Sequence, residues 1–296
     1  MKLEQRKAYP FLYIAPVLII FTIYVFYPII FSIIISLFKW DGFRPLNEAK
    51  FIYFDNYLKL LKDKIFLLSL KNTFIFVGGA LILQNFFGVT LALTLFYTKV
   101  HFNKVWRALI FFPAILSPVI ISLIWKLILA NDGLFNQILS IVGLESLQRV
   151  WLGNKITPIF CIIFINMWQW SGYNMVIYYA GLQSIPDDLI EAAKIDGASW
   201  PKIIFKIILP LLGGVASIAM VLNIIGGFKV FDLVYILTRG GPAHFSEVLT
   251  TYIFFHAFDV SGSNLLGYAS SMAIVLTIIS FIFALIRIRM TRTFEY

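Results

Sequence analysis

Six long stretches of this chain carry no charged side chain at all: 11–38, 72–98, 108–125, 156–186, 207–228 and 260–286. Each runs for 18 to 31 residues, and a helix needs roughly 20 apolar residues to cross a hydrocarbon layer about 30 Å thick. Inside such a layer every backbone N–H and C=O must be satisfied within the protein, which leaves only helices and closed barrels. A barrel strand alternates apolar and polar residues over about 10 positions, and these stretches do not. The expectation is therefore an all-α integral membrane protein forming one domain over 1–296, with six helical spans at about 11–38, 72–98, 108–129, 157–180, 207–228 and 265–287. Composition agrees: 60% of residues are hydrophobic and 13% charged, where a soluble domain carries about 25% charged residues.

The net charge of +9 does not point to nucleic acid, because the basic residues cluster where apolar runs end, as charges flanking spans do. Lys2, Arg6 and Lys7 precede a first apolar run that is too long for a cleaved signal peptide, so the first helix is expected to stay. Cys161 is the single cysteine and cannot close an internal disulfide; inside an apolar run it reads as a small core residue. His101, His244 and His256 are scattered without ligand spacing, so no metal is expected. No G-x-x-x-x-G-K-[ST] loop is present to cradle nucleotide phosphates. An ion-driven carrier would want an ionisable residue within a span, and the six runs hold none. Charge does not settle orientation, for the 24 Lys and Arg divide equally, 12 to each side of a six-span topology.

The informative stretch is one of the least hydrophobic, 184–206 between the fourth and fifth runs. It reads as two short helices. Pro186 suits a first turn, Asp187, Asp188 and Glu191 favour the positive end of the helix dipole, and Gly197 can take the left-handed conformation that stops a helix. Ser199 then caps a second helix with Pro201 in its first turn, leading into the fifth span.

The spacing Glu191-Ala192-Ala193, three residues, Gly197, nine residues, Ile207, one residue, Leu209-Pro210 resembles the EAA loop of ABC importer permeases, complete in residue and offset. Further pieces resemble the carbohydrate-uptake branch, of the maltose and glycerol-phosphate type. They are Ala15-Pro16, Tyr27-Pro28, Asp55-Asn56-Tyr57, Asn72-Thr73, Arg107, Pro113, Trp125, the stretch 180–186, Phe231-Asp232, Tyr235 and the stretch 238–242. The chain looks like the first permease subunit of that branch, without the extra N-terminal helices and large external insert of some relatives. The resemblance implies that Glu191, Ala192, Ala193, Asp196 and Gly197 form a coupling helix docking on a cytoplasmic ATPase, which places the chain in the bacterial or archaeal cytoplasmic membrane with both termini in the cytoplasm. It implies a second homologous permease, two ATPase subunits and an extracytoplasmic solute-binding protein as partners. It gives this chain no cofactor and no catalysis, ATP and Mg belonging to the ATPase.

Sugar recognition needs hydroxyl partners and flat apolar faces. On the fourth span Asn166, Trp170, Tyr173 and Ile177 share a helical face, with Asn174 beside it. By resemblance Tyr173 matches a sugar-contacting aromatic, with Trp170 one turn away; packing against the partner permease is the other reading of both. On the fifth, Asn223, Gly226, Gly227 and Val230 share a face. By resemblance, Gly226 and Gly227 stand where the maltose type has an aromatic and an amide, which suggests either a wider cavity or that the partner permease makes more of the contacts; close helix packing by small residues is the other reading of the pair. Gln84 and Asn85 are expected to bond between helices, Asp232 to fix the following loop, and Pro113 with Pro118 to bend the third span.

Overall fold

The computed structural model describes residues 13–98, 101–258 and 265–292; Lys2, Arg6, Lys7 and Lys99 of the charge count lie outside them. The chain divides into two compact units, 1–63 with 253–277, and 64–252 with 278–296.

In the first unit, helix α1 (Tyr13–Ile35) is apolar along its whole length and almost none of it is buried by the rest of the chain. A two-residue antiparallel ribbon follows, β1 (Phe38–Lys39) against β2 (Lys50–Phe51), then the short helix α2 (Asp55–Leu60). The Asp55-Asn56-Tyr57 piece staples the end of α1. Buried Asn56 donates its amide to the carbonyls of Ser36 and Phe38 at 2.7 and 3.1 Å, and the Tyr57 and Ser36 hydroxyls pair at 2.8 Å.

The second unit is built on α3 (Lys64–Tyr97) packed against α7 (Thr157–Leu182). The crossing is close because Gly88 lies against Asn174, where a β-carbon would come within 2.6 Å of that side chain. Between them come α4 (Asn103–Ile115), α5 (Pro118–Ile128) and α6 (Leu134–Ile141); after α7 come α8 (Asp187–Ile195), α9 (Trp200–Leu211), α10 (Gly213–Phe228), α11 (Asp232–Leu237) and α12 (Leu249–Phe258). The last helix, α13 (Leu266–Arg292), contributes residues to both units.

Three helices among the described residues are long and apolar enough to cross a membrane: α1, α3 and α13 over Leu266–Met290. Two bent pairs bring the number to five, α4 with α5 at 93° and α9 with α10 at 68°. The expected third span is therefore a broken element. Its break falls at Leu116–Ser117, between the two prolines; Pro118 opens α5 and the Ser117 hydroxyl accepts from the Val119 N–H. The fourth expected span is α7, 26 residues long, but Asn166, Gln169 and Asn174 lower its hydropathy. These amides are buried against other helices rather than facing lipid.

Candidate functional site

Two faces read from helical periodicity meet in one cavity of about 430 Å³. From α7 come Asn166, Trp170 and Tyr173; from α10 come Asn223, Gly226, Gly227 and, just beyond its end, Val230. Gln84 of α3, Gln169, Lys229 and Asp232 complete the polar part of the wall, and Pro118, Leu222, Phe231 and Leu233 much of the apolar part. Trp170 and Tyr173 meet edge to face at 6.0 Å, presenting two aromatic surfaces one helical turn apart.

Asn174 is absent from the wall. It is fully buried behind it, where its amide and that of Asn223 exchange hydrogen bonds of 3.1 and 3.4 Å and tie α7 to α10. The two glycines separate in role. A β-carbon on Gly227 would meet Val77 at 3.2 Å, the close packing of two helices, whereas one on Gly226 would meet nothing within 4 Å and point into open space. Close helix packing thus accounts for Gly227, while Gly226 leaves space open.

Gln84 donates to Asn166 and the Tyr178 hydroxyl donates to Asn85, so both amides of α3 bond between helices as expected, and Gln84 also reaches the cavity. Gln169 is a wall residue not among those expected, although it stands three positions after Asn166 and four before Tyr173. It is fully buried, with its carbonyl oxygen lacking any partner and its amide 3.4 Å from the Leu116 carbonyl. Helical spacing places it on that face, and the α4–α5 break sets the Leu116 carbonyl beside its amide. Asp232, expected to fix the external loop, opens α11 and lines the cavity with an exposed side chain. The loop at 238–249 is held by Asn72, whose amide donates to the carbonyls of His244, Phe245 and Glu247, and by Thr73, which accepts from the Leu249 N–H.

The 184–206 stretch folds as two short helices. α8 ends on Gly197 at φ +75, and the Ala198 N–H donates to the Ala193 carbonyl and the Gly197 N–H to that of Lys194, the double closure of a glycine-stopped helix. Pro186 stands just ahead of the first turn rather than within it. Ser199 occupies the capping position of α9 without a side-chain hydrogen bond, because Pro201 removes one of the N–H donors that such a cap would accept from. Ile190 and Ala193 turn inward to a core with Leu182, Ile203, Ile208 and Leu212, while Glu191, Ala192, Ile195, Asp196 and Gly197 are exposed. Ile195 is 86% exposed, an apolar side chain left uncovered at the tip of the element.

Residues 50–295 match the family of binding-protein-dependent transport system inner membrane components. The chain belongs to this family. The permease is 36% identical over 292 residues to a probable ABC transporter permease, YurN, of Bacillus subtilis, covering 98% of each chain. It is 33% identical over 293 residues to the trehalose/maltose transport system permease MalF of Thermococcus litoralis, covering 98% of this permease and 96% of that one. Its fold resembles a chain of a bacterial ABC transporter involved in the import of the acidic polysaccharide alginate, with a TM-score of 0.83 at 23% identity, covering 100% and 99% of the two chains. The permease is thus a transport subunit rather than an enzyme.

Proposed function

We propose that this permease forms half of the transmembrane pathway of an ATP-driven, binding-protein-dependent importer of a sugar or oligosaccharide. The observation that carries the reading is the cavity wall, where the Trp170 and Tyr173 rings stand beside the amides of Gln84, Asn166, Gln169 and Asn223. Rings suit the C–H faces of a pyranose and amides its hydroxyls, each able to donate and accept. The trehalose/maltose permease among its relatives supports the same substrate class.

In this reading the domain has six spans, with α7 and the two bent pairs joining the three straight ones, and both termini lie in the cytoplasm. A second homologous permease completes the pathway, and an extracytoplasmic solute-binding protein delivers the sugar. The coupling element is 184–206: Glu191, Ala192 and Asp196 face a groove of the ATPase, Ala193 anchors the element to this chain's core, and Gly197 sets the bend. ATP and Mg act on the ATPase subunits. Their closure moves α8 and, through its packed inner face, the spans behind it; substrate and nucleotide drive the cycle by binding inward- and outward-facing states with different affinity.

The test uses the reconstituted importer. Proline fixes φ near −65° and cannot adopt the +75 of Gly197, so Gly197→Pro is expected to abolish uptake while the binding protein keeps its affinity for sugar. Unaltered uptake by this variant would end the coupling assignment. Tyr173→Ala is expected to lower uptake about tenfold, equivalent to ~1.4 kcal/mol, with ATP hydrolysis retained; unchanged sugar transport would remove Tyr173 from the pathway.

A further inference from the structure

A second cavity, of about 510 Å³, lies wholly within the first unit, walled by Lys39, Trp40, Asn56, Lys59, Lys62, Asp63, Leu265 and Tyr268. The ends of two candidate spans meet there, α1 closing at Ile35 and α13 opening at Leu266. Their approach is fixed by Gly267, whose N–H donates to the Trp40 carbonyl at 3.1 Å and where a β-carbon would lie 2.0 Å from the Phe38 carbonyl. Where these two helices cross a bilayer, a cavity at their ends stands at the depth of the lipid headgroups, and Trp40 and Tyr268 in its wall are the residue types of the aromatic belt of that zone.

Its charge is one-sided. Lys39, Lys59 and Lys62 are exposed and have no ion pair among the described residues. The one acid in the wall, Asp63, accepts a 2.7 Å hydrogen bond from the Tyr268 hydroxyl. Independently, the ribbon register sets Lys39 directly opposite Lys50. Like charges in that arrangement repel, and an anion between them turns the repulsion into attraction. Trp40 and Tyr268 bring ring surface beside the amines, and Asn56 spends its amide on the backbone carbonyls that shape the floor.

We propose that this cavity binds a phosphoryl anion, presented by the headgroup of an acidic phospholipid, and so fastens the membrane-facing ends of α1 and α13 to the bilayer. Ammonium groups bind phosphate as point charges, which lets three lysines at the external ends of two spans hold an acidic headgroup of the outer leaflet.

The assembled importer is purified into nanodiscs of phosphatidylcholine, with or without phosphatidylglycerol, and bound lipid is counted by native mass spectrometry alongside thermal unfolding. Retained phosphatidylglycerol and a raised unfolding temperature are expected for the wild type. Each of Lys39→Gln, Lys59→Gln and Lys62→Gln should lower retention about fivefold, the contribution of one basic residue at an acidic surface. The triple Lys→Arg variant should keep retention, and Asp63→Asn should raise it. Inorganic phosphate added to phosphatidylcholine discs separates the sources: stabilisation by phosphate without lipid retention assigns the site to a soluble phosphoryl ligand and overturns the lipid. If the wild type neither retains phosphatidylglycerol nor responds to phosphate, or if the Gln variants retain as much as the wild type, the site is refuted. Should a Gln variant fail to assemble, the wild-type comparison and the Asp63→Asn gain still decide.

Discussion

A β-carbon on Gly172 would fall 2.1 Å from the Ile110 carbonyl oxygen, deep in the crossing of α4 over α7, while one on Gly226 would meet nothing. Gly172→Ala is therefore expected to destabilise the permease by about 1–3 kcal/mol, the usual cost of overpacking. Gly226→Ala should stay within about 0.5 kcal/mol and act on transport alone. Thermal unfolding of the purified complex separates them, and equal losses would contradict the assignment of Gly226 to the cavity. The amide pair behaves differently from either glycine. Asn223→Ala leaves the fully buried Asn174 without its partner across the helices, at about 1–3 kcal/mol, whereas Leu at both positions is expected to recover much of that stability while uptake stays lost. Periodicity on one helix was enough to bring Trp170, Tyr173, Asn223 and Gly226 to one wall. The same spacing reaches Gln169, at i+3 from Asn166, but it could not show Gly172, whose purpose is another chain segment's carbonyl.

At the scale of elements, motif and role separate in the same way. Asn72-Thr73 stands out in the sequence, but only the fold shows what it grips: the loop after α11, through three carbonyls at 3.3, 3.1 and 2.9 Å. Asn72→Ala should release that loop, at a cost of about 1–3 kcal/mol for the orphaned carbonyls, and raise hydrogen exchange across 240–249 while α3 stays protected. Unchanged exchange would mean the loop is held by the Ser246 hydroxyl bonds to Thr238 and Gly241 instead. The broken third span was half legible, since Pro113 and Pro118 announce a bend, but the full 93° turn depends on Ser117 and on the packing of α5 against α11. The 68° break before α10 falls at Leu212, after Pro210 and ahead of the Gly213-Gly214 pair, a signal present in the sequence without an obvious partner.

For the molecule as a whole, the open physical quantity is direction. The Lys and Arg count is balanced between the two sides, so hydrophobicity and charge together define a membrane protein without saying which face is inside. The proposed coupling role of α8, whose Glu191, Ala192 and Ile195 are exposed, would break that symmetry by setting its side of the membrane as the cytoplasmic one. Cys161 is the only cysteine, so a Cys161→Ser chain gives a background free of thiols in which single cysteines report position. A cysteine at Asp188, exposed in the first turn of α8, should resist a membrane-impermeant maleimide in intact cells and react once the cells are opened. One at Ser146, exposed between α6 and α7, should react from outside without opening. The reverse pattern would invert the permease and with it the coupling role of 184–206. Labelling of both sites from outside would place the chain's 184–206 stretch on the external face and break the six-span topology, in which the single span α7 sets the two sites on opposite sides.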